Sequence, residues 1–200
     1  VTFALEDNRI ITAIANMNRA LHFLEKGDDY IIRKNKLEDQ EQMARIKIDG
    51  WRTAYDKIIA SKYLNSLDYH TLAQRYVSSF DEYKDLVLVA VRDNEVLGYS
   101  CFSHTDKSGK YDSELVSLYV KKEEAGRGIG SNLLIETAKE LLEQGKHNMI
   151  IWCLSDNKPA IEFYENLGGV NVEVKNALIG DEYYEEYGFY FDLESVAGRK

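Results

Sequence analysis

Between residues 112 and 154 the chain reads strand, glycine turn, helix, strand, and no other stretch restricts its fold as much. Asp112 to Val120 is a β-type run. Leu133, Leu134, Thr137, Ala138, Leu141 and Leu142 then recur at three- and four-residue gaps, a helical stripe that Gly145 terminates. Asn148 to Leu154 is apolar almost without interruption, as in a strand covered on both faces. Such a succession is a strand–helix–strand crossover, and it makes the centre of a mixed α/β domain.

The flanking segments extend the same sheet. Leu86 to Arg92 is rich in valine, Asp93-Asn94 is a turn signal, and Glu95 to Ser103 is a second β-type run. With Asp112 to Val120 they form an antiparallel meander. Tyr30 to Lys34 reads as a short strand before it. Leu37 to Ile59 is helical in pattern, with Met43, Ile46, Ile48, Trp51, Tyr55, Ile58 and Ile59 broadly on one side. Ser61 reads as the N-cap of a further helical piece, and Asp68 to Phe80 as another amphipathic stretch. Downstream, Lys158 to Asn166 is a helix with Pro159 in its first turn and Gly168 at its end. Val170 to Ile179 and Tyr183 to Leu193 read as two closing strands, joined around Gly180-Asp181.

At the N-terminus, Ile10, Ile14, Met17, Leu21 and Leu24 make a helical stripe that Gly27 stops. We therefore divide the chain into an amphipathic helical extension, residues 1–28, and a main domain, residues 29–200. The stripe needs cover, from this domain or from a second copy in a homodimer.

Charge and apolar content narrow the function. The net charge of −9 argues against a nucleic-acid surface, whose affinity comes from Lys and Arg. No apolar run approaches the roughly 20 residues of a membrane span. No basic segment precedes an apolar core at the N-terminus, so a cytoplasmic location is expected. Cys101 and Cys153 sit in apolar runs and match no metal or disulfide spacing, so no metal is expected.

The turn itself is Gly126-Arg127-Gly128-Ile129-Gly130-Ser131. Glycines let a ligand approach the main chain, and the unpaired N–H groups of a helix start favour an anion such as phosphate. Arg127 and the Ser131 hydroxyl can add contacts. Taken alone, the turn serves equally as a tight connection. The dinucleotide fingerprint G-x-G-x-x-G fails, because glycine would be required at Ser131 or Leu133, and no Gly-Lys-Ser/Thr follows to make a P-loop.

Leu118-Tyr119-Val120 followed by this turn resembles the cofactor motif of the GCN5-related N-acetyltransferase (GNAT) superfamily. Asn157-Lys158-Pro159-Ala160-Ile161-Glu162-Phe163-Tyr164-Glu165-Asn166-Leu167-Gly168 resembles its second signature, N-x-x-A-x-x-F-Y-x-x-x-G. Trp51-Arg52-Thr53-Ala54-Tyr55 is similar to the first-helix pattern of bacterial members. The likeness covers Tyr30 to Leu193. One departure is Ala125, where the family carries Gln or Arg; main-chain amides hold the pyrophosphate, so weakened binding at most is expected.

The resemblance implies a GNAT-like acyl-CoA N-acyltransferase fold and an acetyl-CoA-dependent N-acetyltransferase that modifies a primary amine of a small molecule. Coenzyme A would lie on residues 126–131, along Leu118, Tyr119 and Val120, and against Asn157. Tyr164 would protonate the departing thiolate, and Glu114 would take the amine's proton, directly or through water. Tyr119 and His104 are lesser candidates for that base. Trp51, Tyr55 and Tyr63 would line the acceptor pocket. Asp181, Glu182, Glu185 and Glu186, interleaved with Tyr183, Tyr184 and Tyr187, suggest attraction of a cationic amine such as a polyamine or a peptide N-terminus, or else a solvated hairpin. Acetylation of protein N-termini or lysines, and a non-catalytic coenzyme-A-binding regulatory module, are the alternatives.

Overall fold

The computed structural model describes residues 29–199. The helical extension read over residues 1–28 lies outside them. No helix among the described residues is long and apolar enough to cross a membrane.

The first half supplies one strand and a set of helices. Strand β1 (Ile31–Lys34) leads through a 3₁₀ turn into α1 (Gln40–Ala54). The helical pattern read on to Ile59 stops short, because Tyr55 leaves helical geometry at φ −113° and ψ 10°. Ile59 is instead buried in a loop beside Leu64 and Leu154. Ser61 is not a cap: it is the first residue of α2 (Ser61–Ser66), behind Ala60, whose N–H is taken by the Tyr184 hydroxyl at 3.1 Å. Asp68 does cap α3 (Tyr69–Ser78), accepting from the Thr71 N–H at 2.8 Å. A single turn, α4 (Phe80–Tyr83), ends this half.

The sheet follows. Strands β2 (Val87–Arg92) and β3 (Glu95–Ser103) meet at Asp93-Asn94, where both residues have positive φ, as a two-residue hairpin of type I′ requires. After β4 (Glu114–Val120) come α5 (Ile129–Glu143), β5 (Asn148–Leu154) and α6 (Lys158–Asn166). Strands β6 (Val170–Ile179) and β7 (Glu182–Asp192) close the sheet. Leu193 belongs not to the last strand but to α7 (Leu193–Ala197), capped by the Asp192 carboxylate on the Ser195 N–H at 2.9 Å.

The seven strands are ordered β1-β2-β3-β4-β5-β7-β6. All neighbours are antiparallel except β4 and β5, the pair that the crossover joins. The mixed α/β fold expected from the sequence is therefore present, with the meander β2-β3-β4 at its centre. One face buries α5, Tyr164 of α6, and Leu193 and Val196 against Leu97, Phe102, Leu115, Met149, Ile151, Phe189 and Phe191. The other packs Met43 and Ile46 of α1 against Val87, Val89, Val96 and Tyr99.

Candidate active site

The parallel pair holds for a short distance only. β4 and β5 match at Glu114–Ile150 and Leu115–Ile151, and the Ile150 N–H also reaches the Ser113 carbonyl at 3.0 Å. Beyond Leu115 the strands separate, while β4 stays paired to β3 as far as Val120. A bulge accompanies the separation: Phe102 faces Leu115 and Cys101 faces Ser117, leaving Val116 as the extra residue. An extra residue bends its strand and raises its twist. The polar backbone of Val116 to Val120 on the β5 side is thus left without a ladder, and a gap opens between β4 and β5.

The glycine turn lies at the far end of that gap. Gly126 and Gly128 adopt φ of +78° and +82°, which side chains rarely tolerate, and a Cβ on either would point into open space. Gly130 has a different task, since its Cβ position lies 3.4 Å from the Phe163 ring of α6. The Asn132 N–H reaches the Gly128 carbonyl at 2.9 Å, so the N–H groups ahead of it face the turn as the unpaired start of α5. Ile129 is buried in the core and anchors this start, leaving only its main chain for a ligand. An open cradle of N–H groups at a helix start fits a pyrophosphate.

Arg127, expected to add a contact at the cradle, is paired with acidic side chains in this structure. Its guanidinium contacts Glu124 at 2.9 Å and Asp29 at 3.5 Å, and Arg92 bridges the same two carboxylates. Side-chain charge near the turn is therefore neutralised internally, and what the turn offers an anion is chiefly backbone. The Ser131 hydroxyl is half-buried at the same helix start. Leu118 and Val120 pack toward the α5 face and Tyr119 toward the α1 face, so their shared main chain forms the edge of the gap.

Tyrosines gather around this gap. Tyr164 is 8% exposed, its ring 5.8 Å from Phe189 and 6.3 Å from Phe191. Burial pushes its hydroxyl well above the ordinary range, with Cys153 and Tyr55 adding to the effect, so it stays protonated. Tyr55 is pushed up to about 12, chiefly by burial, while the neighbouring Asn157 side chain pulls the other way. Asn157 also caps α6, its carbonyl oxygen accepting from the Ala160 N–H at 3.4 Å. Tyr119 is raised by burial and accepts a hydrogen bond from the Trp51 indole at 2.7 Å, so it is a poor base. Cys153, beside Tyr164, is raised to about 12 by burial, which makes it an inert thiol.

Glu114 stands at the closed end of the gap. It pairs with Ser103 and Ile150, and strand alternation sets it on the α1 face, opposite Leu115. Burial raises its pKa above the usual carboxylate range, against the pull of Lys175 and Lys107. His104 sits exposed in the loop after β3.

The expected acceptor residues come together as one aromatic cluster. Trp51 meets Tyr55 edge to face at 5.2 Å and Tyr63 at 5.9 Å. Trp51 and Tyr63 line a cavity of about 430 Å³. A larger cavity, about 610 Å³, lies between α1, α3, α4 and strands β2 to β4, and reaches Val116 and Ser117. The sequence offered no signal for it, because its walls come from segments far apart in the chain. The hairpin carboxylates, in contrast, are dispersed: Asp181 lies 3.8 Å from Lys62, Glu182 accepts from the Tyr184 hydroxyl, and Glu186 lies 3.7 Å from Lys175.

Comparison with known proteins agrees with this geometry. The sequence model of the Acetyltransferase (GNAT) family matches residues 51–169. An uncharacterized N-acetyltransferase of Bacillus subtilis, YuaI, is 32% identical over 78% of this chain and 90% of its own. The spermidine N(1)-acetyltransferase of Thermoplasma acidophilum is 26% identical over 68% of this chain and 86% of its own. Among solved structures, an acetyltransferase from Salmonella typhimurium with acetyl-CoA superposes with a TM-score of 0.61 at 20% identity, covering 83% of this chain and 95% of that one.

Proposed function

Because the chain belongs to the GNAT acetyltransferase family and is an acyltransferase that uses acetyl-CoA, we propose that it acetylates a primary amine of a small acceptor by direct attack. The observation that carries this reading is the gap between β4 and β5, with Tyr164 buried on one face of the sheet and Glu114 on the other. Cofactor and acceptor then approach from opposite sides. Bound acetyl-CoA supplies the acyl group as a thioester.

The chain's own groups divide the remaining work. The N–H groups at the start of α5 hold the pyrophosphate, and the unpaired edge of β4 extends along the pantetheine arm as an added strand would. N–H groups on that edge stabilise charge on the thioester oxygen. Glu114 takes a proton from the acceptor ammonium, which otherwise titrates near ~10. The amine nitrogen bonds to the acyl carbon, the carbon–sulfur bond breaks, Tyr164 donates its proton to the sulfur, and the second proton that the nitrogen sheds restores the tyrosine to its neutral form. A tyrosine held protonated suits that last step.

The Thermoplasma relative is named for spermidine, and here the hairpin carboxylates Asp181 and Glu186 are dispersed beside Lys62 and Lys175 and form no cluster for a polyamine. The test is steady-state turnover of Tyr164→Phe and Glu114→Gln with acetyl-CoA and a panel of small amines. Each variant is expected to lose roughly 10²-fold in kcat, the scale of general acid–base catalysis. Unchanged turnover in both would defeat the assignment.

A further inference from the structure

The larger cavity on the α1 face carries an unusual charge arrangement for a chain of net charge −9. Lys47 and Arg75 line it, and both also line the smaller cavity next to it. Most half-buried cations of the domain are bonded to carboxylates, as Arg33 is to Asp39, Lys34 to Glu140, Lys121 to Glu95 and Arg92 to Glu124. Neither Lys47 nor Arg75 has a side-chain ion pair or hydrogen bond to a described residue. Both line one space, and burial lowers the pKa of Lys47, with the charge of Arg75 adding to the fall. Lys47 is half-buried and Arg75 exposed, and two unpaired cations beside one cavity favour an anion there.

The position of the pair points to what kind of anion. Lys47 and Cys101 line the same cavity, and Cys101 is the strand partner of Ser117. Val116 and Ser117 lie at the bulge of β4, where the gap begins next to Glu114. The same cavity reaches Ser103, the strand partner of Glu114, so an anion at Lys47 and Arg75 shares one space with the strand position beside the proposed base. Between these ends the walls are apolar: Met43, Tyr76, Phe80, Leu86 and Tyr99. Glu82 and Lys84 also line the cavity, and Lys84 is occupied by Asp81 at 3.1 Å.

We propose that this cavity is the acceptor site and that it selects an amine that also carries a carboxylate and an apolar body, such as an amino acid. This rests on the reading of the chain as an acetyltransferase for small amines. It disfavours polyamines, whose second ammonium would meet two unpaired cations.

The experiment compares phenylalanine, phenylalaninamide and phenethylamine as acceptors by thiol release from acetyl-CoA. The expected result is a kcat/KM for phenylalanine at least about tenfold above that for its amide, the scale of a lost charge pair. Lys47→Met, which keeps the apolar stem, and Arg75→Gln, on the exposed surface of α3, should each bring that ratio toward one. An amide or amine used as well as the amino acid, or a ratio untouched by both substitutions, would overturn the inference while leaving the enzyme an acetyltransferase. If no amine in a wider panel is acetylated although coenzyme A raises the melting temperature, the small-amine reading fails as well.

Discussion

The two faces of the sheet offer ligands different means of binding. On the α5 face the proposed anion site is made of main chain: glycines at positive φ, the unpaired start of a helix, and the free edge of β4. On the α1 face the cavities are made of side chains, with Lys47, Arg75, Trp51 and Tyr63 supplied by helices from an earlier part of the chain. A backbone site must carry its residues at fixed spacing within one segment, because the turn imposes the spacing. A side-chain site needs only that its walls meet in space. The first leaves a trace in the sequence, and the second leaves almost none.

The largest effect should come from filling the backbone cradle. Gly128→Val places a β-branched side chain where φ is +82° and where the ligand's pyrophosphate would lie. Strain of about 1–3 kcal/mol, together with the lost approach, should weaken coenzyme A binding about a hundredfold or more by isothermal titration. Gly130→Ala is the contrast, because its new methyl meets the Phe163 ring at 3.4 Å and not the cradle. It should move stability more than affinity. If both variants bind coenzyme A normally, the backbone account of the α5 face is broken.

A second prediction sharpens the contrast through pH. Burial raises the pKa of Glu114, so its carboxylate begins to protonate at a higher pH than an ordinary glutamate. As the proton acceptor it should therefore give kcat/KM an acid limb displaced upward, with activity lost as pH falls through that raised value. Glu114→Gln should flatten the limb. The same shift affects stability in the opposite sense. The folded state holds the proton more tightly than the unfolded one, so this group's contribution is present at low pH and is lost as pH rises through the folded-state pKa. An acid limb that survives the substitution would assign the proton transfer elsewhere.

Legibility follows the same division. The strands and helices of the crossover, the hairpin at Asp93-Asn94 and the helix after Asn157 were readable because each repeats a local pattern or a turn signal. Ser61 misled, since the chain uses the Tyr184 hydroxyl, 124 residues away, to satisfy the N–H of Ala60. The early end of α1 at Ala54 was equally hidden, because Ile58 and Ile59 continue the apolar pattern while serving a different cluster. Arg127 was legible as a cation beside glycines, but not as the partner of Glu124 and Asp29. Tyr55, Tyr63 and Trp51 could be named together only through the family likeness, and the structure adds their ring contacts.

The smallest expected effect tests whether the α1 face is as rigid as the α5 face. The Trp51 indole donates to the Tyr119 hydroxyl at 2.7 Å, and Tyr119 lies on the edge strand of the gap. Trp51→Phe keeps an aromatic ring against Tyr55 and Tyr63 but leaves the Tyr119 hydroxyl without its donor. An unsatisfied buried hydroxyl costs about 1–3 kcal/mol, which for a chain of this size corresponds to a fall in Tm of about 2–12 °C. Acceptor KM should rise with it, because the hydrogen bond ties α1 to β4 and so fixes the cavity against the gap. Coenzyme A affinity should not follow, since Tyr119 would offer the cofactor only main chain, while its ring packs on the other face. If coenzyme A affinity falls in step with acceptor affinity, the two faces are coupled through β4 and do not bind independently.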